Sequence, residues 1–326
     1  MSSTTGESIP VGTGHITCDL HSSTVVFSKL SSSYPLKLLS PRVTEHGVAI
    51  VYVMSYGGGL VGGDCMQLVV EVGKECKLLL LSQGSTKVFK TRAGNRASTR
   101  FRTSSSQPTP GGLSLQAVTT QSMEVTIAPD SALFLLPDPV TCFRSASYTQ
   151  MQTFHLAGSA SIVLLDWVTS GRRSMDEDWD FLRYYSVNEV FVEGRRVARD
   201  VLLLDNSSYD TQTASESCLS NPTTRSPPRT LKDRLAPYSC YAMLLLYGPQ
   251  THGIVTDLQA KYRTISIFKR ATPERFLWSL TPVDDGKGTV IRAAGVDTED
   301  VKNWFKEVLR GLEAVVGINE YRKAFL

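Results

Sequence analysis

A mainly β fold (a sandwich, barrel or β-solenoid) is predicted from three observations. Over roughly the first 200 of 326 residues, short β-branched and alternating runs follow one another, with Gly, Pro, Asn and Asp turn signals between them. No helical pattern separates these runs, as a doubly wound parallel sheet would require. The one clear amphipathic helix comes late, at residues 298–316.

Strands are expected in order at residues 25–30, 48–54, 66–72, 77–82, 98–102, 113–119, 122–127, 132–136, 147–156, 161–167, 181–193 and 195–205. Residues 82–87 (SQGSTK) read as a polar turn. The stretch 104–112 (SSSQPTPGG) reads as a flexible loop. Residues 206–229 are rich in Ser, Thr and Pro and read as a flexible, exposed insertion, because they cannot bury enough apolar surface to offset ordering. Residues 1–11 are expected to be disordered, and 1–326 to form a single domain.

Residues 238–247 (YSCYAMLLLY) suit either a buried strand or a helix, ended by Gly248-Pro249. A short helix fits 253–262, and strands fit 276–283 and 289–294. In 298–316, Val301, Trp304, Phe305, Val308, Leu309, Leu312 and Val315 follow the i, i+3, i+4, i+7 stripe. Asp297 suits the N-cap, Glu299 and Asp300 suit the positive end of the helix dipole, and Gly317 suits the stop. This helix is expected to lay one face on a sheet.

Composition narrows the function classes. Hydrophobic residues make up 41% and charged residues 20%, as in a globular chain. A net charge of +3 is too small to argue for a nucleic-acid surface. No run of about 18 apolar residues is present to span a membrane. The first fifteen residues lack both the basic start and apolar core of a secretory signal, and the Arg content of a mitochondrial presequence. Six cysteines, at 18, 65, 76, 142, 218 and 240, form no C-x-x-C, which argues against a zinc knuckle or dithiol redox site and for a reducing, cytoplasmic setting.

The most informative stretch is 51–90, where two strand-like runs flank SYGGGLVGGD, residues 55–64. So many glycines demand a backbone reason. One reading is a dinucleotide site of an NAD(P)-dependent oxidoreductase, with Gly57, Gly59 and Gly62 matching G-x-G-x-x-G. That reading needs a helix launched at the glycines and an acid about 20 residues on. Here Met66 to Val72 reads as a strand, and no P-loop Lys-Ser/Thr follows. The other reading is a wide strand-to-strand turn in which Gly57, Gly58, Gly59, Gly62 and Gly63 supply φ > 0 and Asp64 caps through its carboxylate.

The five histidines are scattered without i, i+4 metal spacing, and no G-x-S-x-G elbow occurs. The acids are more suggestive. Asp64 closes the glycine turn, Asp138 is flanked by Pro137 and Pro139, and Asp176, Glu177, Asp178 and Asp180 follow Gly171-Arg172-Arg173. Most such acids are solvated or mark turns. Separate acids on rigid turns also suit the wall of a path for a hard or borderline cation.

Taken together, SYGGGLVGGD, SQGSTKVFK (82–90), LPDPVTCF (136–143) and DWVTSGR (166–172), in this order and spacing, resemble the UreD (UreH) family of urease accessory proteins. PLKLLSP (35–41) and RDVLLLD (199–205) agree, and the resemblance covers roughly residues 12 to 316. It implies a β-rich helicoidal stack of short strands with a few helices, including a C-terminal one. It implies a nickel-insertion chaperone and not an enzyme. Such a protein docks a UreF-type partner directly, a UreG-type GTPase through it, and urease apoprotein, with nickel carried transiently and no tightly bound cofactor. By position it points to Asp64, Asp138 and Glu177 as a nickel path, with Ser85, Lys87, Arg172 and the five glycines as motif positions. The chain departs from the family where Asp176 replaces a Gly before Glu177, at its C-terminal end, and in the length of the 206–229 insertion.

Overall fold

The computed structural model describes residues 10–43, 45–90, 118–206, 229–265 and 274–325. The chain begins with an antiparallel pair, β1 (Thr13–His21) and β2 (Thr24–Ser32), and a second pair, β3 (Leu36–Leu39) and β4 (Val48–Ser55). It then passes back and forth between two sheets. β5 (Cys65–Val72) lies beside β1 in the first sheet, and β6 (Lys77–Leu81) beside β4 in the second. After the short β7 (Thr86–Val88), β8 (Thr119–Ile127) adds to β5 and β9 (Ala132–Leu135) to β6. After the short β10 (Val140–Cys142), β11 (Ser147–Leu156) adds to β8, β12 (Ser161–Thr169) to β9, and β13 (Arg183–Val192) to β11.

All seven of these additions are parallel. Parallel neighbours need a long crossover, normally a helix. Here the crossover is a strand of the opposite sheet, and among the described residues no α-helix stands between successive strands up to β14, so the backbone winds as a helicoid. Antiparallel strands finish each sheet: β14 (Arg195–Asp205) on β13, and β15 (Cys240–Tyr247), β16 (Phe276–Val283) and β17 (Gly288–Gly295) beyond β12. The orders are β14-β13-β11-β8-β5-β1-β2 and β16-β17-β15-β12-β9-β6-β4-β3.

Burial follows from this layering. In β5, Met66, Leu68, Val70 and Val72 face inward while Gln67, Val69 and Glu71 face out, because among the described residues the first sheet is covered on one side only. β12 is buried along nearly its whole length, because the second sheet is covered on both sides. Its inner face meets the first sheet through Ile162, Leu164 and Val168. Its outer face carries Val163, Leu165 and Trp167 against helices α2 (His252–Arg263), α3 (Thr298–Val308), α4 (Glu313–Val316) and α5 (Ile318–Lys323). A further helix, α1 (Leu231–Leu235), is fastened by a capping box between Thr230 and Asp233.

The mainly β, helicoidal expectation holds, including the C-terminal helix. The ambiguous segment 238–247 is strand, since β15 must hydrogen-bond to β12 and β17 on either side. The single helix expected over 298–316 is broken. Its regular part ends at Val308, a 3₁₀ turn at Arg310–Leu312 follows, and Gly317 at φ 91° separates α4 from α5. Asp297 occupies the N-cap position without a side-chain capping bond. Residues 113–127 were expected to hold two strands; β8 is continuous from Thr119, and 113–117 lie outside the described residues. The expectations for 1–9, 98–112 and 207–228 also lie outside them. β1, β3, β7 and β10 were not anticipated. β7 and β10 are three-residue strands whose tertiary partners define them, and β7 overlaps the end of the stretch read as a turn.

Candidate functional site

The four sequence motifs converge at one place. β7, from SQGSTKVFK, pairs with β10, from LPDPVTCF, which pairs with the end of β12, from DWVTSGR. The glycine turn joins them through a bridge between Leu60 and Val88, with Leu60 N–H donating to Lys87 O at 2.8 Å and Phe89 N–H to Leu60 O at 2.8 Å.

This contact explains the glycines. Gly57, Gly58 and Gly63 have φ of 72°, 77° and 90°, where a side chain would be strained. Gly59 and Gly62, expected to do the same, do not lie in that region. Gly59 is extended, and its role is to admit the neighbouring strand: a Cβ there would sit 2.7 Å from Lys87 O. Only a three-residue 3₁₀ turn, Tyr56–Gly58, occurs before β5, so no helix N-terminus faces the glycines. The dinucleotide reading of Gly57–Gly62 is therefore corrected.

The three predicted path acids do not converge. Asp64 closes its own turn, accepting from Val61 N–H at 2.8 Å. Glu177 takes both arms of Arg172, at 2.9 and 2.5 Å, and Arg172 lies over the Phe143 ring at 4.1 Å. The Arg172 guanidinium holds the Glu177 carboxyl below its ordinary value. Its neighbours are likewise paired, Asp180 with Arg144 and Asp178 with Lys232, so this acidic run is an ion-pair cluster. Asp176 adopts φ 54°, a left-handed conformation that Asp tolerates better than most residues. Among the described residues no three His, Cys, Asp or Glu side chains come together to hold a metal.

Of the three, Asp138 is the one that lines the small cavity between the sheets. Its carboxylate accepts from Gly84 N–H at 3.0 Å, and its own N–H donates to Ser82 Oγ at 2.7 Å. It belongs to two cavities. One, about 350 Å³ and open, also touches Ser85, Thr141, Thr169 and Lys302. The other, about 50 Å³, lies between the sheets and touches Gln121, Gln150, Gln152 and Asp166. Lys87 is exposed.

Asp166 is the acid the motif reading passed over. It accepts from Ser186 Oγ at 2.5 Å, Asn188 Nδ2 at 2.7 Å, Gln150 Nε2 at 3.2 Å and Tyr184 OH at 3.4 Å. Burial pushes its carboxyl pKa up, and the bonds from Ser186, Asn188 and Gln150 oppose this. Its donors come from the first sheet, where Gln150 is level with Ser186, Gln152 with Asn188, and Asn188 with Asp200. Asp200 is buried and paired with Arg292 across the gap. Asp166 and Asp200 both line a third cavity, about 480 Å³, bounded by Val201 and Leu202 of edge strand β14 and Leu277 and Trp278 of edge strand β16.

A polar seam thus crosses an otherwise apolar interface, from Asp138 through Gln150, Gln152, Asp166 and Asn188 to Asp200. Asn188 Oδ1 and Gln152 Oε1 are buried with no hydrogen-bond partner among the described residues. Each such acceptor costs roughly 1–3 kcal/mol. A usable signal was in the sequence: Gln150 and Gln152 share strand parity with Tyr148, Phe154 and Leu156, so they are polar at core positions.

Fold and seam together describe a β helicoid with a polar seam between its sheets. Residues 12–323 match the family described as UreD urease accessory protein. The chain is 34% identical to "Urease accessory protein 4" of Cryptococcus neoformans var. grubii, over 94% of this chain and 92% of that one. It is 30% identical to "Urease accessory protein D" of Arabidopsis thaliana, over 89% and 92%. It is also 30% identical to "Urease accessory protein UreD" of Sorangium cellulosum, over 96% and 84%. The chain belongs to the UreD family of urease accessory proteins, which assist an enzyme and are not enzymes themselves. No helix among the described residues is long and apolar enough to cross a membrane.

Proposed function

We propose that this chain is a cytoplasmic scaffold and nickel-transfer chaperone. It docks a UreF-type protein directly and a UreG-type GTPase through it, and delivers nickel to urease apoprotein. Nickel is cargo here, held transiently; the protein keeps no resident cofactor. The carrying observation is the seam, in which Asp138, Asp166 and Asp200 are spaced between two open cavities. Single carboxylates among amides and hydroxyls attract a divalent cation without enclosing it, whereas a Cys/His cage would retain nickel. In this reading Asp138, whose carboxylate also lies 3.9 Å from Lys302 Nζ, keeps its place on the path and Asp166 joins it, while Asp200 is held by Arg292. Asp64 and the Arg172–Glu177 pair shape the chain beside the entrance. The free thiols of the five described cysteines support a reducing compartment.

The test is urease activation in a reconstituted mixture of apoprotein, accessory partners, GTP and nickel. Asp138→Ala with Asp166→Ala is expected to preserve co-purification with the UreF-type partner and to lower activation at least tenfold. Full activation by this double variant rejects the passage.

A further inference from the structure

We propose that Cys18 and Cys76 form a modification site: a thiol pair, set between the ends of the two sheets, that a peroxide closes into a disulfide. It uses none of the seam residues.

The backbone brings the pair together. Cys18 lies near the end of β1, level with Val72 at the end of β5. Cys76 directly precedes β6 in the second sheet. Between them, Gly73 donates its N–H to Cys18 O at 2.8 Å and its carbonyl accepts from Cys76 N–H at 3.2 Å. Only a glycine allows this approach, since a Cβ on Gly73 would stand 2.6 Å from Cys18 O. Glu75 then turns the chain back with φ 60°, an uncommon conformation for a residue with a side chain. Both cysteines are fully buried, and their thiols share a hydrogen bond. Two sulfurs in contact on separate strands meet the first requirement of a disulfide.

The order of ionisation sets the chemistry. Burial raises both thiols, Cys18 to about 12, and the Asp19 carboxylate beside them raises both further. Within the pair Cys18 donates and Cys76 accepts, which favours the Cys76 thiolate. That thiolate attacks a peroxide oxygen and breaks the O–O bond. Cys76 becomes a sulfenic acid, and the departing hydroxide takes up a proton as water. The Cys18 thiolate then attacks the sulfenic sulfur, the S–S bond forms, and the sulfenic hydroxyl leaves with the Cys18 proton as a second water. Two thiols are oxidised and one peroxide is reduced to two waters.

Access is through the sheet edge. β2 is the edge strand, and Ser28 is an extra residue in it opposite Thr17 and Cys18, a bulge that interrupts the ladder beside Cys18. Local opening at this edge admits the oxidant. The reaction is therefore slow, and in a reducing setting the pair remains as thiols.

The test is hydrogen peroxide treatment of the full chain, with intact mass and peptide mapping after alkylation of the remaining thiols. The expected product has lost the mass of two hydrogens, carries a Cys18–Cys76 cross-link, and recovers both alkylatable thiols after dithiothreitol. Cys18→Ser or Cys76→Ser should abolish it, and Cys65→Ser should not. Asp19→Asn, which removes the charge opposing the thiolate, should speed cross-linking about threefold. The site is overturned by a treated wild type in which both thiols stay alkylatable after denaturation or end as separate sulfinic acids. A cross-link that joins another pair in place of this one overturns it too. The wild-type map decides even where a serine variant fails to fold.

Discussion

The second sheet is packed on both faces, and the two faces are built differently. Toward the helices it presents Val163, Leu165 and Trp167, and Phe305 meets Trp167 edge-on with ring centroids 6.0 Å apart. Toward the first sheet the same strand, two residues apart, presents Leu164, Asp166 and Val168. The helix face is what stability alone selects: close-packed, aromatic and apolar. The seam between the sheets contains Asp166 from this strand and, facing it from the first sheet, two orphaned amide oxygens and Asp200 paired with Arg292, each unfavourable compared with a well-packed aliphatic side chain. One strand that carries both patterns shows that the polar row is not a requirement of the fold.

The contrast can be broken from either side. The largest loss is expected from Phe305→Ala on the helix face, about 3–5 kcal/mol by chemical denaturation, because Phe305 is fully buried and leaves a cavity. Arg172→Ala should cost less, about 1–3 kcal/mol, by leaving the buried Glu177 carboxylate without its guanidinium. Its pH dependence follows from the lowered Glu177 pKa. The pairing stabilises above the ordinary glutamate value and is lost as pH falls through the lowered one, so variant and wild type should converge in acid.

Asp166→Asn should change stability still less at pH 7, with an opposite slope. A raised carboxyl pKa stabilises the folded state below the ordinary aspartate value and ceases to do so as pH rises through the raised one. Melting curves from pH 4 to 8 should therefore show the variant gaining on wild type as pH increases. A variant that loses ground instead would mean that the Asp166 charge supports the fold. The smallest effect is expected from Arg275→Ala, under about 1 kcal/mol, since its pairs with Asp297 and Asp300 at 3.4 and 3.2 Å are exposed.

Alternation along β5, β11 and β14 was legible in the sequence, because which side of a strand meets the core is a local property with a period of two. The Asp64 cap was legible too, since its carboxylate bonds a backbone group only three residues away. β7 and β10 were not, for three residues have no periodicity and their pairing joins positions more than fifty apart. The pairing of Glu177 was not legible for the same reason: its partners, the Arg172 guanidinium and the backbone of Arg144, are brought to it by the tertiary fold.

By itself the sequence determined the class of fold, the location of its turns and the family, because each of these resides in residue types and short spacings. The tertiary structure alone decided which acids share a seam. Asp138, Asp166 and Asp200 belong to three different strands or turns. They line one seam only because parallel winding sets their registers side by side and the opposite sheet excludes bulk water from the gap.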